Sequence, residues 1–311
     1  MRRVILFQLI LAAIVLSSCS KEENLASAGK FECSIRASLP EFVTDSDITR
    51  GSLSYVVRLN WQYGDKISVI NATTGKALGG SLTADATSAV STFSGSLTGT
   101  INSGDKLVFI YPGQDYTEEQ DFEGIDFDFS SQSGKSAESV PFVVSSSCTA
   151  TGSTITNLSL GFSYCITFLQ VTLADLPAST AIEYFKVSGV SDLLSVDLED
   201  QSVSLTSKSS GSGITLNPGN KTMSNGARTL FMALPPQGAL SGRKATTCVS
   251  GTDYTVSFTS SALSAGTAYR LPLTTFGGYD DGSESTDPGT DTGGSNGGNP
   301  VETNPGGDFG E

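Results

Sequence analysis

Short runs in which apolar and polar residues alternate recur along most of this chain, and they restrict its fold more than any other feature. The clearest runs are 66–70, 106–111, 166–173, 228–234 and 254–258. A period of two predicts β-strands that bury one face. Clusters of glycine, asparagine, aspartate and serine, such as Gly64-Asp65, separate the runs. The sequence therefore predicts an all-β fold, in which any helix is short and best placed at 178–186 or 261–265.

The length of the chain favours two domains. Removing residues 1–18 from the 311 leaves 293, and a domain commonly takes about 100–200 residues. Many short strands with regular turn signals are typical of β-sandwiches. We therefore predict a tether over 19–30, β-sandwich domains over 31–157 and 158–276, and a separate tail over 277–311.

The tail has a composition that favours disorder. Residues 277–311 contain eleven glycines and eight acidic residues, but neither lysine nor arginine. Such a segment buries too little apolar surface to offset the entropy lost on ordering. We expect a disordered, extended tail, most simply a solvated spacer.

The N-terminus is typical of a secretory signal peptide over residues 1–18. Two arginines precede an apolar run over 4–16, which is shorter than the roughly 20 residues needed to cross a bilayer. The sequence Leu-Ser-Ser before Cys19 resembles a bacterial lipobox, in which Cys19 is acylated, for example with palmitate, and becomes the first mature residue. The alternative is an ordinary signal peptide with a chance cysteine. The acidic stretch 20–24 resembles the signal that takes lipoproteins to the outer face of the outer membrane.

The charge of the chain restricts its partners. The formal net charge is −14, which argues against nucleic acid, because binding to phosphates depends on lysine and arginine. It also argues against electrostatic adhesion to anionic membranes, so that acylated Cys19 is the expected anchor to the outer membrane.

Catalytic chemistry has little support in the sequence. The chain contains no histidine, which excludes Ser-His-Asp and Cys-His nucleophile systems. The acidic stretch 115–128 lacks the order of a calcium loop, and Asp126 and Asp128 alternate with apolar residues as on a solvated strand face. Trp61 could stack on a sugar, but its place at the start of a strand favours the core. We therefore predict no catalytic residue, no metal site, no cofactor and no enzyme activity.

Four cysteines follow Cys19, and their state is open. An even number in an exported chain is compatible with two disulfides in any of three connectivities. Buried single thiols are an equally good explanation. No connectivity is predicted for this set: Cys33, Cys148, Cys165 and Cys248.

Arg50 lies in a polar, turn-like segment that precedes Gly51. The segment follows a predicted first strand over 31–39 and precedes another over 53–59. An exposed loop with one arginine is open to a trypsin-type protease whatever its purpose. Taken alone, Arg50 is best interpreted as a surface-loop residue.

Several motifs in a fixed order carry a family resemblance. They are Trp61 with Gly64-Asp65-Lys66-Ile67, then 93–97, Phe109-Ile110-Tyr111-Pro112, 160–168, 229–236 and 263–271. Together they resemble the fimbrillin family of Bacteroidetes, the Mfa-like and FimA-like proteins that include type V pilus subunits. The resemblance covers about residues 31–275.

The resemblance implies two tandem β-sandwich domains of transthyretin-like topology, with a boundary near 156–160. It also implies export as a lipoprotein and, for polymerising members, cleavage after an arginine in the loop that follows the first strand. Arg50 occupies that place. Losing the first strand would open a groove that a strand from a neighbouring subunit could fill. The polar tail argues against a role in the pilus stalk.

Two functional hypotheses follow from the resemblance and the lipidation motif. The first is a cell-surface lipoprotein that serves a type V-like pilus as an anchor, tip, accessory or minor subunit, contributes to adhesion and contacts other pilus subunits. The alternative is a lipid-anchored protein that binds glycans or host proteins and never polymerises.

Overall fold

The computed structural model describes residues 29–44, 59–117, 125–173, 181–199, 202–219, 221–222 and 229–273. These residues form strands and a single turn of 3-10 helix, Ala137–Ser139. The strands, in chain order, are β1 Gly29–Ser38, β2 Val43–Thr44, β3 Lys66–Asn71, β4 Lys76–Ala77, β5 Leu82–Ala84, β6 Val90–Gly99, β7 Lys106–Tyr111, β8 Asp126–Asp128, β9 Ser131–Gln132, β10 Val144–Thr149, β11 Leu158–Gly161, β12 Ser163–Tyr164, β13 Thr167–Leu173, β14 Ala181–Ile182, β15 Tyr184–Ser188, β16 Leu193–Glu199, β17 Ser202–Lys208, β18 Ile214–Leu216, β19 Lys221–Thr222, β20 Thr229–Leu234, β21 Leu240–Val249, β22 Thr252–Ser260 and β23 Thr267–Leu273.

The predicted all-β class is confirmed, and each of the five clearest alternating runs coincides with a strand, except that residue 166 precedes β13 and residue 228 lies outside the described residues. The prediction for short helices was wrong where it can be checked, because residues 181–182 and 184–186 lie in strands and 261–265 are not helical. The alternation of buried and half-buried residues along β15 explains the error, since this period of two belongs to a strand.

The first half of the chain builds one curled sheet. Its strand order is β11-β1-β6-β5-β3-β7-β10-β12, with β4 paired to β3. Only Phe162 separates β11 from β12 along the chain, so the two ends of the sheet meet and its inner face encloses a core. Trp61, Phe93 and Phe109 are among the fully buried side chains of that core, which confirms the core interpretation of Trp61.

The second half packs smaller sheets against one another. One has the order β2-β23-β13-β20 and another β22-β21-β15-β18-β9, while β17-β16-β8 and β14-β19 complete the set. This layered arrangement fits the β-sandwich class. Three strands from the first half, β2, β8 and β9, pair with strands of the second half, so that the two halves are joined by backbone hydrogen bonds.

The strands near the expected domain boundary belong to the first sheet. β11 pairs with β1 and β12 pairs with β10, whereas the next strand, β13, pairs with β20 and β23. The limits of the two domains stay a prediction, as does the tail over 277–311, which lies outside the described residues.

Within the described ranges, no helix is long and apolar enough to span a membrane.

Candidate functional site

The first strand is the element on which the expected processing and assembly depend. Along β1, buried and more exposed side chains alternate from Cys33 onward, and Cys33, Ile35 and Ala37 point into the core. Arg36 on the opposite face is exposed. The alternation fits a strand that covers a core with one face and meets solvent with the other.

β1 has hydrogen-bonded neighbours on both sides. It pairs antiparallel with β6 along all ten residues, from Gly29 opposite Gly99 to Ser38 opposite Val90. On its other side it pairs in parallel with β11, from Ile35 to Ser38. Removing β1 would therefore expose the edges of two strands and the apolar sites now filled by its inner face.

Trp61 forms a hydrogen bond with the backbone near the C-terminal end of β1. Its Nε1 donates a hydrogen bond of 3.2 Å to the carbonyl oxygen of Ala37. The ring makes edge contacts with Phe93, Tyr111 and Phe162, at centroid distances of 4.9, 5.3 and 5.5 Å. This tryptophan therefore connects β1 to the centre of the first core.

The chain leaves β1 and crosses to the second half. The Phe162 amide donates to the Ser38 carbonyl at 2.9 Å, and the Phe42 ring stacks on Tyr164 at 3.8 Å. β2 then pairs with β23. The segment that contains Arg50 follows β2 and starts at residue 45.

The three predicted site residues lie outside the described residues. Arg50 and Gly51 fall in the range 45–58, and Cys19 precedes residue 29. The structure does describe the residues on either side of the range 45–58. β1 and β2 precede it, and Trp61, which follows it, lies in the first core and bonds to β1.

The acidic stretch contributes a surface ion pair and a solvated strand face. Asp126 and Asp128 are exposed on β8, as predicted. Asp115 accepts hydrogen bonds from Lys66 at 2.5 Å and Ser81 at 2.7 Å, and these lower its pKa. In the described ranges, no three histidine, cysteine, aspartate or glutamate side chains group closely enough to hold a metal ion.

The four cysteines after Cys19 are free thiols in the structure. Cys33 is buried in the first core, and Cys148 packs against the same core from β10. Burial, with a further contribution from Cys148, raises the pKa of the Cys33 thiol to about 12. This proximity was not visible in the sequence, where 115 residues separate the two.

The chain is similar to solved cell adhesion and fimbrial proteins of Bacteroides and Porphyromonas. A candidate cell adhesion protein from Bacteroides uniformis is 14% identical with a TM-score of 0.49, over 78% of this chain and 92% of that one. A second, from Bacteroides ovatus, is 13% identical with a TM-score of 0.49, over 79% and 92%. The tip fimbrial protein Mfa3 from Porphyromonas gingivalis, with a C-terminal truncation, is 8% identical with a TM-score of 0.40, over 79% and 95%.

No protein-family model and no curated protein sequence matches the chain.

Proposed function

We propose that this protein is a fimbrillin-like cell-surface lipoprotein, which serves as an anchor, tip, accessory or minor subunit of a type V-like pilus and contributes to adhesion. The observation that carries the proposal is the position of β1. β1 is a strand bonded on both sides, and it is followed by β2 and then by residues 45–52, in which Arg50 is the one trypsin-type site; such a strand is suited to removal and replacement.

The groove left by β1 would favour an incoming strand whose apolar residues alternate with polar ones. Ten residues of β6 would lose their partners, and each unpaired backbone group that stays buried costs free energy. An incoming strand restores these bonds by β-augmentation, provided that its apolar residues alternate to fill the sites of Cys33, Ile35 and Ala37. Another subunit of a pilus is the partner that this chemistry fits.

Cleavage at Arg50 should convert the protein from monomer to oligomer. Limited trypsin treatment of the folded chain, with N-terminal sequencing to identify Gly51 as the new first residue, should yield oligomers that resist SDS. Arg50→Ala should prevent them. Arg243→Ala, which removes an exposed arginine of β21, is the matched control and should oligomerise normally.

The opposite outcome has a definite meaning. If chains that begin at Gly51 stay monomeric and their β6 amides remain protected from hydrogen exchange, strand exchange is ruled out. The non-polymerising binding protein for glycans or host proteins then becomes the preferred function, and a glycan array would identify its ligand.

The lipid anchor has an independent test. Cells that express the full chain should incorporate a palmitate analogue into the protein and hold it in the outer-membrane fraction, because multiple acyl chains bind firmly. Cys19→Ser should abolish both, whereas Cys165→Ser should leave both intact. Equal labelling of the Cys19→Ser chain would contradict the anchor.

A further inference from the structure

Two cysteines project into the same core from different parts of the first sheet. On β1, Cys33 lies on the inner face with Ile35, and its side chain is 3% exposed. On β10, Cys148 pairs with Leu107, which lies on the same face of β7 as Tyr111; the Tyr111 ring contacts Trp61 in the core, so Cys148 also faces inward. Paired residues on neighbouring strands share a face. The Ser34 amide donates to the carbonyl of Ile155, which fastens β1 to the segment that leaves β10.

The other two cysteines are directed elsewhere. The Cys165 sulfur contacts the Ser145 hydroxyl at 3.3 Å, and residue 145 projects from the face of β10 opposite to residue 148, because their separation is odd. Cys248 lies in the second half, where its thiol donates to Glu183 at 3.5 Å. Of the three possible partners for Cys33, Cys148 is therefore the one that projects from the inner face of the first sheet, as Cys33 does.

Cys148 is also within reach of a reagent in solvent. It lines a groove of about 720 Å³ together with Lys106, Ser146 and Gly161. Cys33 does not line that groove. The geometry thus provides one accessible thiol backed by one buried thiol.

We propose that Cys33 and Cys148 form a disulfide that holds β1 in place, and that Cys165 and Cys248 remain thiols. The oxidant is a small disulfide of the glutathione class. The Cys148 thiolate attacks it in the groove, forming a mixed disulfide and releasing one thiol. Cys33 then displaces the second thiol, so that two protein thiols become one disulfide and the oxidant is reduced to two thiols.

Proton loss controls the rate of this exchange. Burial raises the pKa of Cys148 and, together with Cys148, that of Cys33. Because the thiolate is the attacking species, the exchange should accelerate as the pH rises. A disulfide also requires the Cα atoms of its two cysteines to approach within about 7 Å. Formation of the cross-link would therefore show that β1 and β10 come this close at Cys33 and Cys148.

The cross-link would regulate strand exchange, and this consequence rests on the proposed function. After cleavage at Arg50, β1 of the reduced protein is held by hydrogen bonds and packing alone. In the oxidised protein it stays bonded to β10, so that the groove cannot open. Reduction would then be the step that permits assembly.

Peptide mapping tests the disulfide directly. The folded full chain is incubated with oxidised glutathione, alkylated, denatured and digested with trypsin, which yields peptide 31–36 with Cys33 and peptide 136–186 with Cys148 and Cys165. The two peptides should be recovered linked and separate after reduction. Cys148→Ser should abolish the link, and Cys165→Ser should preserve it. Recovery of peptide 31–36 only in the alkylated form, or a link that persists in Cys148→Ser, would overturn the proposal.

A second measurement separates this proposal from the proposed function. Oxidised chain cut at Arg50 should retain its N-terminal fragment on a non-reducing gel and release it after reduction, whether or not oligomers follow. A fragment that separates without reductant refutes the disulfide. A retained fragment that is freed by reductant without any oligomers refutes only the pilus role.

Discussion

Replacing Trp61 with alanine is expected to lower the free energy of unfolding by about 3–5 kcal/mol. The side chain is fully buried, and its loss opens a cavity where Phe93, Tyr111 and Phe162 now make edge contacts. It also leaves the buried carbonyl of Ala37 without the indole donor. Urea denaturation followed by circular dichroism measures the change.

A conservative variant separates the two roles of Trp61. Trp61→Phe keeps an aromatic ring but removes the donor to Ala37, and one such hydrogen bond contributes about 1 kcal/mol. We expect this variant to stay folded and to lose β1 protection faster in hydrogen exchange, since Ala37 lies in β1. Protection in β13 of the second half should change much less.

Tyr63 provides the matched control for Trp61. It lies two residues away and is 77% exposed, so Tyr63→Ala should change the free energy of unfolding by less than about 0.5 kcal/mol. A Trp61→Ala protein as stable as Tyr63→Ala would show that the first core does not depend on the indole.

The strands were predictable because their determinants are local. The run at 106–111 was identified to the residue, and Gly64 adopts the positive φ of 88° that its turn requires. Burial alternates along β1 and β15 in the period that the sequence shows. The pattern for a strand needs only the residues of that strand.

The partners of the strands were not predictable, because pairing joins residues far apart in the chain. Nothing in the sequence of Leu158–Gly161 indicates that it pairs in parallel with β1, and this pairing came only from the structure. The proximity of Cys33 to Cys148 has the same origin. The sequence predicted a first strand and, after it, a candidate cleavage residue, Arg50, but not the two edges that hold the strand.

Replacing Gln132 with leucine should destabilise the protein by about 3–5 kcal/mol. This residue makes a buried polar contact that sequence patterns do not reveal. The side chain is 6% exposed. Its Nε2 donates to the carbonyls of Phe129 and Ala233 at 2.9 and 2.7 Å, and its Oε1 accepts from the Ala233 amide at 2.9 Å. Leucine would leave three buried backbone groups unpaired, each at a cost of about 1–3 kcal/mol.

The contact matters because of where it lies. β20 is the last strand of its sheet, and Ala233 directs both backbone groups away from β13 toward Gln132. The amide therefore stands in for a neighbouring strand and joins a first-half segment to the second half. We expect Gln132→Leu to expose the β20 edge, with loss of hydrogen-exchange protection at Ala233 before the first core opens.

Two further variants complete the test: Gln132→Glu, which introduces a carboxyl group of the same shape, and Asn217→Ala, which removes a surface amide. Gln132→Glu keeps the acceptor but faces two carbonyls, which disfavour the carboxylate and raise its pKa in the folded state. Its stability should therefore increase as the pH falls, because protonation restores a donor, and decline as the pH rises through the folded pKa. Asn217→Ala removes an exposed amide that bonds Ser131 at 3.4 Å and should change stability by less than about 0.5 kcal/mol. If Gln132→Leu behaves like Asn217→Ala, the Gln132 amide contributes nothing measurable to the joining of the two halves.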